Sequence, residues 1–106
     1  MARSPEESIR SCAFKQQLNF SDHAIDRMGE RQITIDQVYD CTMYGLVVET
    51  QDHGEDIKVV FQEQTNGAPG FYVVIADSSP FPEVITVCLT RDEAWETRNG
   101  ILRRRS

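Results

Sequence analysis

The sequence predicts an α+β domain in which N-terminal helices are followed by an antiparallel meander of about four strands and a C-terminal helix. Three observations predict it. Helix-start signatures, a serine or threonine with Glu or Gln three residues later, occur at Ser4, Thr34 and Thr90. Between the last two lie four β-branched or aromatic runs separated by turn-rich segments. The 106 residues, 40% hydrophobic and 26% charged, are enough for one buried core and too few for two. The expected organisation is a single domain over residues 1–106, with 1–4 and 101–106 frayed.

The first helix is expected from Pro5 to about Gln17, because Ser4 is a good N-cap, Pro5 suits the first helical position and Glu7 completes a capping box. Ile9, Cys12, Ala13 and Gln16 would face the core. A short second helix is expected from Asp22, capped by Ser21, to about Gly29. Thr34 and Gln37 form a second capping box, with Ile33 and Val38 as its hydrophobic staple. The helix that follows should run to Tyr44, stop at Gly45 and bury Ile35, Val38, Cys41 and Thr42 or Tyr39.

From Leu46 the pattern changes to strand-forming residues. Leu46 to Gln51, Ile57 to Gln62, Phe71 to Ala76 and Val84 to Leu89 are expected strands. Asp52-His53-Gly54-Glu55, Thr65-Asn66-Gly67-Ala68-Pro69-Gly70 and Ser78-Ser79-Pro80-Phe81-Pro82 separate them with residues that fit turns. Thr90-Arg91-Asp92-Glu93 reads as a third capping box, opening a last helix through Trp95, a core anchor, to Asn99-Gly100.

Charge and composition narrow the function. The net charge of −6 repels nucleic acid at long range, so an RNA-binding role needs locally clustered positive charge. Two clusters exist, Arg27 with Arg31, and Arg103 to Arg105 with Arg91 and Arg98 nearby. No apolar run approaches the roughly 18 residues of a spanning helix, and MARSPEES lacks a signal-peptide core, so a cytoplasmic location without membrane contact is expected. Cys12, Cys41 and Cys88 form no CxxC and pair with no histidine at metal spacing, so they read as reduced thiols, and no cofactor or metal is expected. His53, with Asp52, Glu55 and Asp56, reads as a solvated turn.

On a helix starting at Asp22, His23, Arg27, Glu30 and Arg31 share one edge while Ala24, Ile25 and Met28 lie on the other side. Guanidinium groups hold phosphates bidentately, and imidazole, with a reference value of about 6.5, transfers protons near neutrality. The stripe is thus a candidate anion site. The same spacing also fits ordinary surface pairs, with Asp22, Asp26 and Glu30 neutralising the arginines.

Phe20-Ser21-Asp22-His23-Ala24-Ile25-Asp26-Arg27-Met28-Gly29-Glu30-Arg31, continuing through Ile33-Thr34 to Gly45 and closing on Val84-Ile85-Thr86-Val87, resembles a bacterial family of small uncharacterised domains with an HAxxRMxER motif. Such domains are similar in layout to RelE-like toxins and to the barnase and colicin group of metal-independent ribonucleases. The resemblance implies a toxin-antitoxin setting, single-stranded RNA as substrate and a protein partner such as an antitoxin. It places His23, Arg27 and Arg31 on the motif positions and Thr86 on the closing strand as catalytic residues. The other class of function open to this sequence is a non-catalytic module that docks a protein partner through its sheet face or its Arg98 to Arg105 end.

Overall fold

A computed structural model of the chain describes residues 4–54, 56–63, 69–90, 95–98 and 101–104. Helix α1, Pro5–Phe14, starts as its sequence dictates, with the Glu7 amide donating to Ser4 Oγ at 3.2 Å. It ends one turn earlier than expected because Gln16 turns left-handed at φ 58° and the Gln17 amide reaches back to the Cys12 carbonyl at 2.8 Å. Strand β1, Asn19–Phe20, leads into helix α2, Asp22–Arg31, which continues through Gly29 and stops where Gln32 adopts φ 56°. Neither terminus carries the glycine that usually marks such a turn.

Helix α3, Ile35–Tyr44, carries the capping box in full: Gln37 N–H donates to Thr34 Oγ1 at 3.1 Å, and Thr34 N–H donates to Gln37 Oε1 at 2.8 Å. Val38, Cys41 and Thr42 are buried, whereas Ile35 faces solvent and Tyr39 is half-buried, its hydroxyl accepting from the Leu18 amide. Gly45 is required for close approach, since a Cβ there would lie 2.1 Å from the Gln62 carbonyl oxygen.

Strands β2 (Leu46–His53), β3 (Asp56–Gln62), β4 (Phe71–Ala76) and β5 (Glu83–Leu89) pair antiparallel in sequence order. The sheet as a whole is mixed rather than an antiparallel meander. Its order is β1-β5-β4-β3-β2, and β1 joins β5 in parallel through Asn19↔Glu83 and Phe20↔Val84. Two residues carry no alternation, so β1 exists only because the chain passes the open edge of β5 before entering α2.

The expected C-terminal helix is also corrected. Trp95–Arg98 and Ile101–Arg104 are strands β6 and β7 of a separate antiparallel pair, so Trp95 lies on a strand and part of the segment expected to fray is ordered. In sequence, Asn99-Gly100 suits a helix stop and is equally the dipeptide favoured between hairpin strands. Those two residues, the capping box at Arg91 to Glu93, the turn at Thr65 to Ala68, Glu55 and Arg105 lie outside the described residues.

The helices cover one face of the sheet. Ile9, Ala13, Leu18, Ala24, Met28, Ile33, Val38 and Cys41 form one cluster with Val59, Phe61, Phe71, Val73, Ile75, Val84 and Val87. On the opposite face Val60 and Gln62 are buried too, and the Leu102 amide of β7 donates to Gln62 Oε1 at 2.7 Å. No helix among the described residues is long and apolar enough to cross a membrane.

Arg10 ties α1 to the rest. Its Nη1 donates to the carbonyls of Thr42 and Met43 at 3.0 and 3.1 Å, its Nη2 to that of Gly45 at 2.8 Å, and its Nε to Glu6 Oε2 at 3.1 Å. The guanidinium also sits 5.1 Å from the Phe61 ring centroid. Arg10→Ala is expected to lower the unfolding free energy by roughly 2–4 kcal/mol, because it strips three carbonyls of a half-buried charged donor. Arg10→Lys should recover only part of the loss, since an ammonium lacks the planar fork. Equilibrium denaturation checks both.

All three cysteines are free, and Cys41 is the buried one. Burial, reinforced by the nearby Glu63 charge and opposed by Arg10, pushes its thiol up from 9.0 to about 12. Between those values the native chain keeps a proton that the unfolded chain has lost, so stability falls as pH rises, by up to about 1.4 kcal/mol per pH unit. Cys41→Ala is expected to flatten that loss in denaturant titrations across the same interval.

Candidate functional site

The sequence places its candidate residues on α2, and two long-range contacts decide where α2 lies. Ser21 does double duty at the start. Its Oγ accepts from the Ala24 amide at 3.0 Å, capping the helix, and donates to the Ile85 carbonyl at 2.9 Å, while its own N–H donates to the Val84 carbonyl at 3.0 Å. Ile85 is the extra residue at an irregularity in the β4–β5 register, where Val74 opposes Thr86 and Ile75 opposes Val84.

At the far end of the helix Arg31 Nη1 donates to the Val87 carbonyl at 2.6 Å. Beyond Val84, β5 has no neighbouring strand on that side among the described residues, and Ser21 and Arg31 satisfy carbonyls that a strand would otherwise bond. Ala24 and Met28 are buried beneath the helix. The helix is therefore pinned along the open half of β5 with its His23–Arg27 edge turned to solvent.

His23 is exposed in the first turn and makes no hydrogen bond or ion pair among the described residues. Arg27, one turn on, pairs with Glu30 at 2.9 Å, and both side chains are more than a third exposed. A pair so exposed is worth about 0–1 kcal/mol, which an incoming phosphate can displace. Arg31 is half-buried and committed to Val87 through one nitrogen. The structure thus brings His23, Arg27 and Arg31 together on one edge, the last as an anchor.

Thr86 does not join them. It alternates with the core residue Val87, so its side chain lies on the sheet face away from α2, with Oγ1 3.7 Å from Cys88 Sγ. His53 ends β2 beside a turn in which the Gly54 amide donates to Asp52 Oδ1 at 2.9 Å, and Asp56 pairs with Lys58. No cluster of three metal-ligating side chains occurs among the described residues.

Sequence reasoning missed a cavity beside α3. Gln37, Asp40, Cys41 and Tyr44 of α3 line a cavity of about 350 Å³ with Glu63, just past β3, and Phe71, which opens β4. Neither His23 nor the α2 arginines line it. Its walls meet only through the tertiary fold, although Asp40 and Tyr44, one turn apart, foreshadow its helical side.

No curated protein and no solved structure matches the chain at a significant level. A family-level comparison matches residues 20–89, which run from the end of β1 through α2, α3 and the antiparallel strands to the close of β5, to a domain of unknown function, DUF4258. The match spans well over half of the sequence and contains the whole His23–Arg31 stripe together with the β5 carbonyls that hold it. The chain belongs to the DUF4258 family of domains of unknown function.

Proposed function

We propose that this domain cleaves single-stranded RNA without a metal, in the manner of RelE-like toxins, at the solvent edge of α2. The observation that carries the reading is an exposed His23, without a side-chain partner among the described residues, one helical turn from Arg27 on a helix fixed at both ends to β5. In the reaction the RNA 2′-oxygen attacks the adjacent phosphorus. The bond from phosphorus to the 5′-oxygen breaks, the 2′-hydroxyl proton leaves to a base, and a proton reaches the departing 5′-oxygen.

His23 serves as the general acid or base for one of these transfers. Arg27 meets the charge gathering on the phosphoryl oxygens once its exposed bond to Glu30 is exchanged for the substrate. Arg31, through its bond to Val87, sets the position of the stripe and presents its remaining N–H groups to the same anion. Thr86, on the other face of the sheet, has no part in this scheme. The net charge of −6 opposes RNA at long range, so affinity should be weak, and it should fall further with salt because local guanidinium groups supply the attraction.

The test compares wild type, His23→Ala and Arg27→Ala on single-stranded RNA in the presence of a chelator. Wild type is expected to leave 2′,3′-cyclic phosphate or 3′-phosphate ends. His23→Ala should lose about a hundredfold to ten-thousandfold in rate with its circular dichroism unchanged, and Arg27→Ala should also slow. Absence of cleavage by wild type, or cleavage undiminished in His23→Ala, would overturn the mechanism and leave a non-catalytic docking role.

A further inference from the structure

We propose that the groove under α3 is a receptor for a basic segment of a partner protein, which inserts an arginine side chain between the carboxylates of Asp40 and Glu63. The groove is independent of the His23 edge. It has the size of a small side-chain or ligand pocket, about 350 Å³, and combines two acids with two aromatic rings.

Asp40 is exposed and has no hydrogen bond or ion pair among the described residues. Glu63 is held in place from one side, its Oε1 accepting from the Gly70 amide at 2.6 Å. Arg10, whose charge acts on Cys41 in the groove wall, is spent on Glu6 and on three main-chain carbonyls. Neither groove carboxylate is neutralised by it.

The remaining walls favour an amphipathic cation. Tyr44 is exposed, and its ring meets that of Phe14 at 86° with centroids 5.8 Å apart. An exposed aromatic ring can receive a guanidinium on its face. Phe71, almost fully buried, supplies apolar surface for the methylene stem. Cys41 contributes a neutral thiol that donates to the Phe61 carbonyl and adds no competing charge.

Other occupants fit less well. A nucleic acid would meet two carboxylates and a net charge of −6. A divalent ion would find no set of three ligating side chains among the described residues. A planar guanidinium can bridge two carboxylates and stack on an aromatic ring, which an ammonium does less effectively.

The experiment titrates the isotopically labelled full chain with a blocked peptide of alternating glycine and arginine, followed by amide chemical shifts, beside a lysine analogue. Shifts are expected to concentrate at Gln37, Asp40, Cys41, Tyr44, Glu63 and Phe71, with the arginine peptide binding more tightly. Asp40→Asn and Glu63→Gln, the latter keeping the acceptor for Gly70, should each weaken binding about tenfold, and Tyr44→Ala should weaken it several-fold. Asp52→Asn removes the same unit of charge in the distant β2–β3 turn and should change affinity by less than about twofold if the groove is the site. Equal weakening by Asp52→Asn and Asp40→Asn would reduce the effect to general attraction between opposite charges. That result, shifts centred elsewhere, or no binding by wild type would overturn the proposal.

Discussion

The guanidinium of Arg10 is the point on which the helical layer depends. A helix end leaves its last carbonyls without intrahelical partners, and the end of α3 lies close to β3, where Gly45 approaches the Gln62 carbonyl. Arg10 supplies donors to the carbonyls of Thr42, Met43 and Gly45 from a neighbouring helix and rests its flat face near Phe61 of β3. One side chain thereby fixes α1, α3 and the sheet relative to one another. The same constraint explains Gly45, because the chain leaves α3 so close to the Gln62 carbonyl that a side chain would not fit.

With α3 held in this way, its far side meets the ends of β3 and β4 and forms the acidic, aromatic groove. The buried Cys41 thiol lines that groove, and desolvation is the leading cause of its raised proton affinity. Arg10 bonds within α1 and to the end of α3, and not to α2. α2 is positioned by β5, with Ser21 at one end and Arg31 at the other satisfying carbonyls left open where β1 stops after two residues. The fold therefore presents two chemically opposite surfaces, a basic helix edge and an acidic groove, on a chain whose overall charge is negative.

That division bears on how an acidic protein could act on RNA. Long-range attraction is absent, so recognition must come from short-range, directional donors, and guanidinium groups on a rigid helix suit this better than a diffuse field. The weak, exposed Arg27–Glu30 pair costs little to exchange, whereas Arg31 is held by a half-buried bond to the backbone. The two arginines share a helix edge and differ in freedom because only one of them reaches β5.

What the sequence by itself determined is what local hydrogen bonds and residue type determine. Ser4 with Glu7, Ser21 with Ala24 and Thr34 with Gln37 are three residues apart, so the starts of α1, α2 and α3 were legible, as were the four β-branched or aromatic runs from β2 to β5 and the common edge of His23, Arg27 and Arg31. The tertiary structure decided everything that depends on distant partners. Gln16 and Gln32 turn left-handed without a glycine, and β1 is a strand only because β5 lies beside it. Trp95–Arg98 and Ile101–Arg104 pair as antiparallel strands, although the dipeptide Asn99-Gly100 suits a helix end and a hairpin turn equally well in sequence. Thr86 was placed on the right strand, but its separation from His23 by the thickness of the sheet follows from which face the helices cover. Arg10 and Arg31 bond carbonyls 32 to 56 residues away, and no spacing rule reaches that far. A cap closes within one turn of chain, whereas a guanidinium on a remote carbonyl requires the core to have assembled first.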